Sequence, residues 1–166
     1  MIIRKIRLDD LSTRVEWMNN SAIFMTMHYE TPVYFDKTLL WFERNKNNQD
    51  RCDMVFEDNN KIVAFGGLTN INKDVKKAEL YIFVNPDLHK GGVGTIATRL
   101  LCKYGFDQLH LNKIYLETNE DNFAARRVYE KCGFILEGIL REEYRKNNGQ
   151  LLSRIYYGLL KGELNE

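Results

Sequence analysis

The chain has 166 residues, 44% of them hydrophobic and 28% charged, with only two prolines, which is the balance of one globular domain with its own core and not of a disordered or linker-rich chain. Lysine and arginine total 24 against 23 aspartates and glutamates, so no net positive field draws the chain to phosphate backbones or anionic lipid, and neither nucleic acid nor a membrane is an expected partner. Cys52, Cys102 and Cys132 form no CxxC pair or disulfide ladder, and His28, His89 and His110 lack the short spacings of zinc ligands, so a cytoplasmic, reduced protein with no metal is expected.

Residues 1–7 alternate apolar with basic side chains and contain no long apolar core, so they predict a first strand and not a signal peptide. Asp9 and Asp10 then open a short helix carrying Leu11, Val15, Trp17 and Met18. The Met-, His- and Tyr-rich stretch 20–34 shows no period and reads as a loop near something bound. A second helix is expected over 35–45, with Asp36 as N-cap and Leu39, Leu40, Phe42 and Trp41 supplying the buried stripe. Strands follow at 52–57, 62–70 and 77–84. Asp58-Asn59-Asn60-Lys61 makes the first hairpin turn, and Asn85-Pro86 stops the third strand.

Beyond that stop, Gly91-Gly92-Val93-Gly94 leads into a helix with Ile96, Leu100, Leu101 and Tyr104 on one face. A strand over 113–118, a helix over 121–131 ended by Gly133, and strands over 134–140 and 151–159 around an Asn147-Asn148-Gly149 turn complete the chain. The order β-α-α-β-β-β-α-β-α-β-β predicts a single mixed α/β (α+β) domain over residues 1–166.

Chemistry concentrates in two segments. Val84 to Thr95 is a strand end, a glycine-rich turn and a helix start. The first turn of a helix leaves backbone N–H groups unpartnered under a partial positive charge, and glycines let a pyrophosphate approach. A ligand-free turn would look the same in isolation. A P-loop needs G-x-x-x-x-G-K-S/T and a dinucleotide fingerprint needs G-x-G-x-x-G in an early βαβ unit, and neither is present. The second segment holds Asn122, Ala125, Tyr129, Lys131, Gly133 and Phe134.

The pair of segments resembles the GNAT acetyltransferases, whose coenzyme loop reads Q/R-x-x-G-x-G and whose next helix reads N-x-x-A-x-x-x-Y-x-K-x-G-F. Gly92 and Gly94 match the first motif and the six residues above the second, while His89 stands where the family has Gln or Arg. The resemblance implies a mostly antiparallel sheet of about seven strands with about four helices, splayed between the strands over 77–84 and 113–118. It implies acetyl-CoA as co-substrate, bound by Phe83, Val84, His89, Lys90, Gly91, Gly92, Val93, Gly94, Thr95, Asn122, Ala125 and Tyr129, with the reaction's oxyanion facing a backbone N–H near Phe83 or Val84. Tyr129 then gives the departing thiolate its proton, and Glu117 or Glu79, each equally readable as a solvated strand residue, takes a proton from the amine.

Arg14 to Asn20, Leu40 to Glu43, Glu137 to Arg141 and Tyr157 to Leu160 look like the branch that acetylates ribosomal protein N-termini or amino groups on nucleotide-linked sugars, with a slight lean to the sugars of the pseudaminic-acid type. An amino sugar on a nucleotide is therefore the expected acceptor. A protein N-terminus, a polyamine or an antibiotic amine is the alternative, and a noncatalytic acetyl-CoA-binding module is an alternative of another kind. A homodimer is compatible with the sequence but has no signal of its own.

Overall fold

In the computed structural model, which describes residues 1–88, 91–146 and 148–165, seven strands form one sheet in the order β1-β2-β3-β4-β5-β7-β6. They are β1 (Ile2–Lys5), β2 (Cys52–Asp58), β3 (Lys61–Asn72), β4 (Lys77–Val84), β5 (Lys113–Asn119), β6 (Ile135–Arg145) and β7 (Leu151–Leu160). All neighbours run antiparallel except β4 and β5. The helices are α1 (Leu11–Met18), α2 (Ser21–Phe24), α3 (Phe35–Asn45), α4 (Val93–Asp107) and α5 (Phe123–Cys132). The strands and the four longer helices lie where periodicity puts them, while α2 is a single turn inside the stretch read as a loop.

The sheet is packed on both faces. Beneath α4 and α5, Phe56, Leu68, Leu80, Ile114, Leu116 and Tyr157 meet Leu101, Cys102, Phe106 and Tyr129 in the larger core. On the opposite face Trp17 and Ile23 pack on Val55, Phe65 and Phe83. Side chains alternate across a strand, so Phe83 and Leu80 serve different cores from one strand. Arg14 is buried beneath α3, with its guanidinium over the rings of Trp41 at 4.7 Å and Phe83 at 5.2 Å.

Local chemistry explains most boundaries. Asn59 and Asn60 both take positive φ, as a two-residue hairpin turn requires. Gly133 ends α5 at φ 99°, and a Cβ there would lie 2.2 Å from the Glu163 carbonyl oxygen. The expected Asn147-Asn148-Gly149 turn includes Asn147, which lies outside the described residues.

Two expected caps differ in detail. Asp10 stands at the N-cap position of α1 as expected, but its side chain makes no capping bond; the carboxylate instead accepts the Arg7 N–H and two bonds from Arg4, closing a 3-10 turn over Leu8–Asp10. Asp36 lies in the first turn of α3, where it complements the dipole, and Tyr34 is the N-cap. The expected stripe on α3 also shifts. Leu40 is 57% exposed and Thr38 is the buried residue of α3, its hydroxyl donating to the Tyr34 carbonyl.

Candidate active site

β4 and β5 pair only at Lys77↔Lys113, Ala78↔Ile114 and Glu79↔Tyr115. Beyond these three rungs β4 runs on to Val84 and β5 to Asn119 without meeting. The expected splay is present, and it opens a cleft of about 530 Å³. The floor is Ile82, Phe83 and Val84; one wall is Gly92 to Thr95, and the other is Asn122, Ala124, Ala125, Val128 and Tyr129 of α5 and its cap.

Each wall offers what a phosphorylated thioester needs. Gly92 caps α4 in the left-handed region at φ 72°, a conformation that glycine adopts without strain, with open space where a Cβ would stand. The first N–H groups of α4 have no partner within the helix, and the residues that carry them, Val93 to Thr95, line the cleft. Asn122 Oδ1 accepts the Ala125 N–H at 3.2 Å, fixing the start of α5. Tyr129, one turn further on, is buried as a ring between Phe134 and Tyr157. No described residue hydrogen-bonds its hydroxyl, and that hydroxyl is not sealed off as a buried unpartnered atom. Burial, with Cys132 and Cys102 adding to it, pushes the phenol up to about 12, so it keeps its proton at neutral pH.

Of the residues expected to hold coenzyme, Phe83, Val84, Gly92, Val93, Gly94, Thr95, Asn122, Ala125 and Tyr129 line this cleft. Gly91, at φ 120°, precedes the α4 cap without lining it, and His89 and Lys90 lie outside the described residues. Val128 went unread, although it sits one helical turn beyond Ala124 and Ala125 on the same face. Ile23, Thr26 and Met27 also line the cleft, and no sequence period places them there.

The two glutamates sit elsewhere. Tyr115, Glu117 and Asn119 alternate onto the sheet face opposite α4 and α5, as does Glu79. There Tyr115 stacks on Tyr156 at 5.3 Å. Glu79 accepts a 2.7 Å bond from Asn70, and Glu117 ion-pairs with Arg154 at 3.3 Å. Neither lines the cleft. Cys102 and Cys132 are buried and form no disulfide, and burial pushes Cys132 up to about 11. Among the described residues no cluster of His, Cys, Asp and Glu could hold a metal ion.

A second cavity, of about 610 Å³, adjoins the first and shares Thr26 and Asn122 with it. Phe24 at the end of α2 with Met25, His28 and Tyr29 from the loop after it, Asn119 at the end of β5 with Asp121 beyond it, and Tyr144 of β6 with Lys146 and Asn148 of the β6–β7 turn enclose it. Asp121, its one carboxylate, is paired with Lys146 at 2.9 Å.

A splayed sheet with an anion-binding helix start and a free phenol across the opening defines an acyl-coenzyme A transferase. The sequence profile of the acetyltransferase (GNAT) domain matches residues 1–135. The chain belongs to the GNAT acetyltransferase family and is an N-acetyltransferase with acetyl-CoA as co-substrate. Spermidine N(1)-acetyltransferase of Vibrio cholerae is 33% identical over 143 residues, covering 84% of this chain and 82% of that protein. The enzyme of the same name from Escherichia coli K12 is 29% identical over 143 residues, covering 86% and 76%. The crystal structure of the Vibrio cholerae spermidine N-acetyltransferase in complex with CoA and spermine superposes with a TM-score of 0.92 at 26% identity, covering 98% of this chain and 96% of that one.

Proposed function

We propose that this enzyme moves the acetyl group of acetyl-CoA onto a primary amine of a polyamine such as spermidine, with coenzyme along the Gly92 to Tyr129 cleft and the acceptor in the adjoining cavity. The observation that carries this reading is the extent of the likeness to spermidine N-acetyltransferases, which covers 84% to 86% of this chain in sequence and 98% in structure and so reaches well beyond the coenzyme motifs. This displaces the nucleotide-linked amino sugar as the first choice of acceptor.

The residues support the transfer itself. The α4 N-terminus binds the pyrophosphate. Asn122 fixes the start of α5, and that helix presents Tyr129, which supplies a proton to sulfur as the C–S bond breaks. A backbone N–H near Phe83 or Val84 faces the carbonyl oxygen of the acetyl group.

One observation favours the amino sugar as a second reading. The single carboxylate lining the acceptor cavity is already ion-paired, whereas a polycation is held best by free carboxylates. Thiol release from acetyl-CoA, followed with spermidine, spermine, a UDP-linked amino sugar, an aminoglycoside and a peptide with a free N-terminus, decides between them. Turnover of the polyamines at kcat/KM at least tenfold above the rest is expected. A preference for the sugar nucleotide would overturn the polyamine assignment.

A further inference from the structure

Acetylation of an amine needs a base, and neither Glu79 nor Glu117 lines either cavity. His28 does line the acceptor cavity. Its Nε2 lies 2.7 Å from Asn119 Oδ1, and Asn119 is 3% exposed. An amide oxygen only accepts, so Nε2 carries hydrogen and the neutral ring holds its lone pair on Nδ1. No described residue bonds Nδ1, and Nδ1 is not among the buried unpartnered atoms, so it is open to the cavity or to solvent. The ring packs on Tyr144 with centroids 3.7 Å apart.

We infer that His28 is the general base of this acetyltransferase, held in one tautomer by Asn119 and placed against the acceptor amine by Tyr144. The assignment rests on the reading of that cavity as the acceptor site.

The surroundings suit the task. Burial holds the imidazole below its ordinary 6.5, the bond to Asn119 raises it and the Arg154 charge lowers it again, so the ring is neutral at pH 7 and can accept a proton. The other charged or titratable groups that line the cavity with it are Tyr29 on its own loop, Tyr144 on β6, and Asp121 and Lys146, which neutralise each other. Once protonated, the ring lies against the π-face of Tyr144, which favours a cation.

The protons balance. An acceptor ammonium must lose two. His28 Nδ1 takes the first and passes it to water, which frees the nitrogen lone pair. The C–N bond then forms as the C–S bond breaks, and sulfur takes the Tyr129 proton. The second nitrogen proton returns through water to the Tyr129 oxygen. One amide, one thiol and one solvent proton result.

The test takes whichever amine the wild-type enzyme turns over and compares His28→Gln with His28→Gly between pH 6 and 9.5, with chemistry limiting. For His28→Gln we expect a kcat loss on the order of 10²-fold at pH 7. That loss should shrink as pH approaches the amine's own pKa, with the acetyl-CoA Kd within a few-fold of wild type. Added imidazole should restore part of the His28→Gly rate. A pH-independent rise in acceptor KM alone, without imidazole rescue, would overturn the base and leave the cavity as acceptor site. Unchanged kcat and KM in both variants would overturn both assignments.

Discussion

Tyr129 joins a packed ring to a hydroxyl left without a bond, and the proposed acid role uses both. The ring belongs to the core beneath α5, yet its hydroxyl reaches the cleft without a bond to any described residue. Tyr129→Phe removes that oxygen and leaves the ring contacts, so the melting temperature should change little. The chemical step should lose roughly 10² to 10⁴-fold, the usual contribution of positioned acid–base catalysis. Single-turnover kinetics with saturating acetyl-CoA measure this directly, and a full rate in the variant would mean that water protonates the thiolate. The tyrosine was legible from its spacing to Asn122, Gly133 and Phe134. His28 was not, because its partners Asn119 and Tyr144 lie 91 and 116 positions away, and a lone histidine in a loop without period carries no signal of role.

Among the elements, α4 carries the sharpest test. Gly94 lines the cleft in the first turn, where a Cβ would meet Val84 and Val128 at an ordinary 3.6 Å. An added side chain is therefore tolerated by the fold, but the branches of valine intrude on the path to the helix N–H groups. Gly94→Val should weaken acetyl-CoA several-fold in calorimetry with an unchanged circular dichroism spectrum. Equal affinity in the variant would move the phosphate site elsewhere. The element was readable because a strand stop, glycines and an apolar helical face follow one another without a break. α3 was read less well. Its apolar residues are many, so the sequence offers several candidate stripes. The one that is buried depends on Thr38 and on Arg14 among the aromatic rings, which only tertiary packing reveals.

At the scale of the whole molecule, alkaline pH tests how the two cores are held. Burial pushes Tyr29 up to about 12, and the Tyr29 hydroxyl donates 2.8 Å to the Met18 carbonyl. Tyr129 is pushed up to a similar value. A folded-state pKa above the unfolded value of about 10 means that the native state binds more protons between the two, so stability is complete below pH 10 and falls as pH rises toward 12. Thermal melts between pH 9 and 12 should show this decline, and Tyr29→Phe should flatten it. An identical slope in that variant would place the titration elsewhere. The succession of strands along the chain was legible, although β6 runs on to Arg145, past its expected end at 140. The second cavity, proposed to hold the acceptor, was not, because it is assembled from α2 and the loop after it, the end of β5 and the β6–β7 hairpin, which are far apart in the chain and converge only in the folded molecule.

The three rungs between β4 and β5 carry a further consequence. They make the sheet a pair of panels joined along a short seam, with the panel of β1 to β4 on one side and that of β5, β7 and β6 on the other. Each panel is paired along far more of its length than the seam, despite register shifts in β2–β3, β3–β4 and β6–β7, so the strand ends that flank the seam form the weakest line between them. A ligand lying across that line works as a clasp. Native-state hydrogen exchange should find the amides of residues 80–84 and 116–119 opening together at a lower free energy than the ladder of β2 and β3, and saturating coenzyme should slow both sets in step. Coenzyme that slowed one set alone would show that it rests on a single panel. If it slows both, the molecule's mechanical continuity belongs to the loaded enzyme and not to the bare chain.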